Sequence, residues 1–200
     1  MIKKNINKAN TLVLAHEYDR YSLFFYYFWQ SFEKVIYCME VKKAREEDID
    51  IIMDVFDAAK LFMRKVGNNK QWVGGYPSKE LILNSIRDES FYVCISDEQQ
   101  VAGVFYFKVE EDGTYAKIYD GEWLNDKPYG VVHRMASNGT QSRITDFCLQ
   151  WCIEKCKNIR IDTHRDNIVM QNALQRNDYK RCGIIYLANG AERIAFQKSI

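Results

Sequence analysis

From Met39 onward the apolar positions recur with a period that changes several times, and each change marks an element. Val41 to Ala44 reads as a short strand. Glu46-Glu-Asp48 then places acidic side chains where they suit the positive end of a helix dipole. Ile49, Ile52, Met53, Phe56, Ala59, Leu61 and Met63 follow at mostly helical spacing until Gly67 ends the run. After a loop with Gly74, Gly75 and Pro77, Ser78 followed by Glu80 caps a second helix through Arg87. Phe91 to Ser96 and Val101 to Val109 are rich in β-branched and aromatic residues, with Asp97-Glu-Gln-Gln100 as the turn between them. Thr114 to Tyr119, after Asp112-Gly113, is expected to add a further strand and complete a meander. Gly130 to Ala136 is another strand, the polar loop Ser137-Asn-Gly-Thr-Gln-Ser142 follows, and a helix runs from about Arg143 to Cys156. The chain closes with a strand at Ile159 to Thr163, a helix at Asn167 to Arg176, and strands at Arg181 to Leu187 and Arg193 to Gln197 joined by Asn189-Gly190. The predicted class is mixed α/β: helices flanking a central mixed, mostly antiparallel sheet.

The first thirty-eight residues stand apart from this pattern. Their aromatic run, Tyr21-Ser-Leu-Phe-Phe-Tyr-Tyr-Phe-Trp29, is far shorter than the roughly 20 residues a membrane-spanning helix needs. Glu17, Asp19 and Arg20 interrupt any signal-peptide core, and no small-residue cleavage site follows. Three readings are open: a helix packed on the domain, a membrane-surface or partner patch, or translated sequence upstream of a start at Met39. The regular pattern that begins at once at Met39 favours the third. On that reading the domain comprises residues 39–200.

Composition narrows the function classes. A chain of 200 residues with 47% hydrophobic content fills one sizeable core. Twenty-eight basic residues against twenty-seven acidic ones leave a net charge of +1, so no global field draws nucleic acid or anionic lipid. A small ligand is expected, with neither nucleic acid nor membrane as partner. Without a cleavable signal, the six cysteines read as reduced thiols of a cytoplasmic protein. Cys148, Cys152 and Cys156 recur every fourth residue on the helical face of Ile144, Phe147 and Trp151, the pattern of core packing rather than of paired metal ligands. His164 beside Asp162 and Asp166 has no second histidine at metal-binding spacing, so no metal site is expected.

The strand, polar loop and helix from Gly130 to Cys156 have the makings of a phosphate cradle. The first turn of a helix offers unpaired N–H groups and the positive dipole end. The order of elements resembles the GNAT superfamily of acyl-coenzyme A-dependent N-acyltransferases. Tyr129-Gly-Val-Val-His-Arg-Met-Ala136 is similar to that superfamily's fourth strand. Ile159-Arg-Ile-Asp-Thr-His-Arg-Asp-Asn167, Met170-Gln171, Cys182-Gly-Ile-Ile-Tyr-Leu187 and Glu192-Arg-Ile-Ala-Phe-Gln197 resemble its fifth strand, last helix and closing hairpin. The resemblance spans about Met39 to Ile200.

It implies direct transfer of an acyl group from coenzyme A to an amine, with acetyl-CoA as co-substrate and a small-molecule or peptide amine as acceptor; a homodimer is the assembly to test. Cofactor contacts would come from backbone at Met135 and Ala136, from the loop and first helical turn at Gln141, Ser142, Arg143, Ile144 and Thr145, and from Asn167 and Met170. His133 is the candidate base, since its ordinary pKa of about 6.5 suits proton removal from an ammonium. Glu122, with Asp120, is a second candidate. The acceptor side would be formed by the first two helices, their loop with Trp72 and Tyr76, and Tyr119 to Trp123. Three positions depart from the family pattern. Arg143 stands at the first loop glycine, with Thr145 at the second small position. Leu174 replaces the tyrosine that protonates the leaving thiolate. Asp178-Tyr179 replaces the Gly-Phe ending the last helix, predicting a different helix terminus. These departures keep a second reading open, a domain that binds acyl-CoA without turnover.

Overall fold

A computed structural model describes residues 39–96 and 98–200, so the aromatic run near the N-terminus lies outside the described residues. Seven strands form one sheet: β1 (Glu40–Lys43), β2 (Phe91–Ile95), β3 (Val101–Val109), β4 (Gly130–Ser137), β5 (Asn158–Thr163), β6 (Lys180–Tyr186) and β7 (Glu192–Ser199). Their spatial order is β1-β2-β3-β4-β5-β7-β6. Every neighbouring pair is antiparallel except β4 and β5, which the helical crossover between them makes parallel. Four helices flank the sheet: α1 (Ile49–Lys65), α2 (Lys79–Arg87), α3 (Ile144–Lys155) and α4 (Ile168–Arg176).

Helix α1 forms because Ile49, Ile52, Val55, Phe56, Ala59 and Met63 fall on one stripe, and all six are buried against the sheet. Leu61, expected on that stripe, is out of phase with it and 74% exposed. Helix α2 begins where the Ser78 hydroxyl accepts the Leu81 N–H at 3.2 Å. On the opposite face α3 inserts Trp151 among Tyr92, Phe105 and Phe107, with ring centroids 4.9 to 5.7 Å apart. Cys148 and Cys152 are fully buried beside them, as the four-residue stripe predicts.

Two expectations are corrected. Thr114 to Tyr119 is not a strand. Asp112 Oδ1 accepts the Thr114 N–H at 2.8 Å and starts a 3-10 turn at Gly113–Tyr115. Among the described residues the segment's backbone pairs with the sheet only at Tyr119, which exchanges two hydrogen bonds with Ile184. The terminus of α4 is also not of a new kind. Tyr179 N–H reaches Leu174 O at 3.0 Å and Asp178 N–H reaches Gln175 O at 3.1 Å, with Asp178 at φ 62°. This is the left-handed stop a glycine would make, held here by an aspartate, whose short side chain tolerates that region.

Candidate active site

Strands β4 and β5 pair only from Gly130↔Ile159 to Val132↔Ile161. Beyond that point β5 continues along β7 as far as Thr163↔Ile194, while β4 stays with β3. The edge of β4 from His133 onward therefore has no strand on its β5 side, and its backbone groups are open to an extended ligand. A bulge sharpens the divergence. Tyr106 lies opposite His133 and Val104 opposite Ala136, so β4 carries one residue more than β3 over this stretch. Arg134 absorbs it at φ 52°.

The polar loop beyond β4 leads into α3. Its N-terminal turn packs tightly on the sheet because β3 has a glycine opposite: a Cβ at Gly103 would lie 2.3 Å from Ile144 Cγ2. Arg143 is the residue before the helix and sits at φ 60°, the left-handed conformation a glycine adopts without strain. The loop thus follows the path of a glycine turn, and an arginine follows it. The Arg143 side chain is exposed, with no hydrogen-bond or ion-pair partner given it by any described residue. Asp146, in the same turn, is paired with Arg176 at 2.8 Å and accepts a hydrogen bond from the Asn177 amide at 2.6 Å. That pairing keeps its carboxylate from opposing an anion at the helix N-terminus.

His133 occupies the vertex of the divergence. Its Nε2 is 2.8 Å from Asp112 Oδ2, and its Nδ1 is 3.8 Å from Asp162 Oδ1. The hydrogen bond to His133, aided by the Thr114 N–H, holds the Asp112 carboxyl well below the usual carboxylate range. Asp162 is bonded by the Tyr115 hydroxyl at 2.8 Å. Burial and the Asp162 charge push that hydroxyl well above its ordinary pKa, so it remains a donor. In the tautomer that gives Nε2–H to Asp112, Nδ1 carries the ring's lone pair, on the side of Asp162. His164, across the cleft, accepts the Asp166 N–H at 3.1 Å, and burial together with Arg193 lowers its pKa, favouring the neutral ring.

These elements surround a cleft of about 1500 Å³, more than the roughly 300–1,000 Å³ of a compact small-molecule pocket. Of the residues singled out from the sequence, His133, Met135, Ala136, Gln141, Arg143, Ile144, Thr145, Asn167 and Met170 line it, as do Trp72 and Tyr76. Ser142, Glu122, Asp120 and the Tyr119 to Trp123 segment do not. Glu122 is exposed on a loop directed to the β6 side, where Gly121 packs against Cys182 O. Asn167 serves first as the cap of α4, accepting the Met170 N–H at 3.1 Å, and its amide donates to Gln71 at 3.0 Å. Leu174 is fully buried and away from the cleft. The sequence reading missed Asp112, Asp162 and Arg134. Asp112-Gly113 carries only the signal of a turn, and nothing local links it to a histidine twenty-one residues later.

No protein-family model matches the sequence, and no match is found among curated proteins. Solved structures do match. A GNAT-family acetyltransferase from Streptococcus agalactiae 2603 is 32% identical, superposes with a TM-score of 0.75, and is matched over 81% of this chain and 95% of its own. The chain belongs to the GNAT acetyltransferase family. The seven-stranded mixed sheet flanked by four helices matches the GNAT structures. More distant structures agree in fold alone. A GNAT-family acetyltransferase from Listeria monocytogenes 4b F2365 is 15% identical with a TM-score of 0.61, over 81% of this chain and 95% of its own. An acetyltransferase from Salmonella typhimurium that modifies the N-terminal serine of ribosomal protein L7/L12 is 14% identical with a TM-score of 0.57, over 82% of this chain and 96% of its own. No helix among the described residues is long and apolar enough to cross a membrane.

Proposed function

We propose that this GNAT protein transfers an acetyl group from acetyl-coenzyme A directly to the primary amine of a small molecule or peptide, with His133 as the base. The observation that carries the proposal is the position of His133: it stands where β4 leaves β5, hydrogen-bonded to Asp112 at 2.8 Å. Acetyl-CoA fits the residues present. The open β4 edge at Met135 and Ala136 suits pantetheine amides, and the first turn of α3 with Arg143 suits the pyrophosphate. The thioester supplies the activated acetyl group. Asp112 orients the imidazole so that Nδ1 accepts a proton from the ammonium, and Asp112 with Asp162 then stabilises the imidazolium. No hydroxyl stands at Leu174, so the leaving thiolate would be protonated by the His133 imidazolium, which thereby returns the proton it took from the ammonium.

A peptide acceptor is included because the Salmonella typhimurium protein of this fold acts on a protein N-terminus. Leu174, which cannot donate a proton, and Arg143 at the place of a loop glycine support the second reading, acyl-CoA binding without turnover. Thiol release from acetyl-CoA across a panel of amines, amino acids and peptides separates the two. His133→Ala is expected to lower kcat about a hundredfold while acetyl-CoA affinity by calorimetry changes little. Unaltered kcat in that variant would remove His133 as the base. Binding with no thiol release from any amine would favour the second reading.

A further inference from the structure

Strand alternation predicts that consecutive residues point to opposite faces of a sheet. At the β4 bulge they do not. The Tyr106 ring has the His133 ring 5.8 Å from its centre and the Arg134 guanidinium 4.7 Å from it. The extra residue and the positive φ of Arg134 bring both side chains to the face that carries α1 and α2, beside one another in the cleft.

Among the described residues Arg134 has no counter-ion there. Its single hydrogen bond to them runs to Ser85 Oγ at 3.3 Å, and its Nε is buried without a partner among them. Each carboxylate lining this end of the cleft is engaged elsewhere. Asp88 is bound to Lys108 at 2.6 Å. Glu110 accepts the Tyr106 hydroxyl at 2.5 Å and faces Lys108 at 3.6 Å. Asp112 is held by His133, and Asp162 by Tyr115 with Arg193 at 3.8 Å. A half-buried guanidinium loses hydration, and an opposite charge is the ordinary compensation. It also lies in a left-handed backbone conformation that a bulky residue rarely adopts, a strain that persists where a site over-determines it.

We infer that Arg134 binds a carboxylate of the acceptor, so that the acceptor is an amino acid rather than a polyamine or a protein N-terminus. This inference rests on the acetyltransferase reading of the same cleft. The planar fork of arginine matches a carboxylate bidentately. Because His133 and Arg134 are adjacent in the chain and share one ring as a floor, the amine and the carboxylate must be separated by only a few bonds. An α-amino acid meets that condition. The exposed apolar rim of Phe62, Val66, Val73 and Tyr76 receives its side chain.

The test compares matched pairs on the full chain: phenylalanine with phenethylamine, leucine with 3-methylbutylamine, lysine with cadaverine. Thiol release reports turnover, and calorimetry on the CoA-loaded protein reports binding. The amino acid is expected to exceed its decarboxylated partner by about tenfold or more in kcat/KM. Arg134→Gln should bring the two members of each pair together, chiefly by raising KM for the amino acid, and Arg134→Lys should retain part of the preference. A thermal melt of each variant shows that it folds. Preference for the decarboxylated amine, or an equal loss on both members in Arg134→Gln, would overturn the assignment while leaving acetyl transfer intact. Arg134-dependent binding of amino acids without any thiol release would instead overturn the catalytic reading and uphold this one. Failure of every amino acid to bind would overturn the carboxylate site.

Discussion

His133 Nε2 and Asp112 Oδ2 stand 2.8 Å apart across the floor of the cleft, joining a strand to the turn that follows the preceding strand. The pair is 24% and 19% exposed in its side chains, so water weakens it only in part. It has a consequence for stability as well as for catalysis. An unfolded aspartate takes up a proton below about pH 4. In the folded chain the hydrogen bond to His133 keeps the Asp112 carboxyl ionised to lower pH. Over the interval between the two the unfolded state binds more protons, so this contribution to stability is full above about pH 4 and falls as the pH drops through the folded value. Urea unfolding of wild type and Asp112→Asn from pH 7 to pH 2 should show a gap that is widest at the top of this range and closes below about pH 4. The same variant should lose about tenfold or more in kcat at neutral pH. A gap independent of pH would mean that the carboxylate contributes through shape alone.

Arg143 sets two effects against each other. Its φ of 60° strains a residue with a Cβ, and glycine would remove a cost of about 1 kcal/mol. Arg143→Gly should therefore raise Tm by about 3 °C in a domain of this size. It should also weaken acetyl-CoA binding about tenfold and make what remains less sensitive to salt, because a charge-assisted phosphate contact is lost. Tighter binding in the glycine variant would show that the arginine obstructs the site.

Gly103 keeps the N-terminus of α3 in place. Adding a methyl group there puts carbon 2.3 Å from Ile144 Cγ2 and 3.2 Å from Ala136 O. Gly103→Ala must move the first turn of α3, β4, or both, at a cost of about 1–3 kcal/mol. Chemical denaturation should record that loss, and calorimetry should record weaker acetyl-CoA binding. Loss of stability with unchanged affinity would separate the helix N-terminus from the cofactor.

How much of this was legible beforehand follows from the range of each interaction. The stripe of α1, the Ser78 cap, the Cys148 and Cys152 face of α3 and the Asn189-Gly190 hairpin depend on residues within a turn or two of one another, and all stand where the pattern puts them. Thr114 to Tyr119 has strand composition, but Asp112 caps its first turn and the buried Tyr115 is drawn toward Asp162, forty-seven residues away. That contact outweighs local preference. Glu122 has the chemistry of a base, but its loop does not line the cleft.

Periodicity and composition by themselves determined the mixed α/β class, the four helices and, in outline, all seven strands of the described residues, with an eighth at Thr114 to Tyr119 that does not form; the block from Ile159 to Phe196 carried the resemblance to GNAT proteins. They also marked His133 and the loop before α3, because those residue types carry their chemistry wherever they stand. Tertiary structure alone decided what surrounds them. The bulge that turns His133 and Arg134 to one side, the Asp112 carboxylate beneath His133 and the left-handed turn that lets Arg143 stand in for glycine all depend on register between strands and on residues distant in the chain. A one-residue change in register reverses the face of every side chain that follows, and no local pattern encodes where that change occurs.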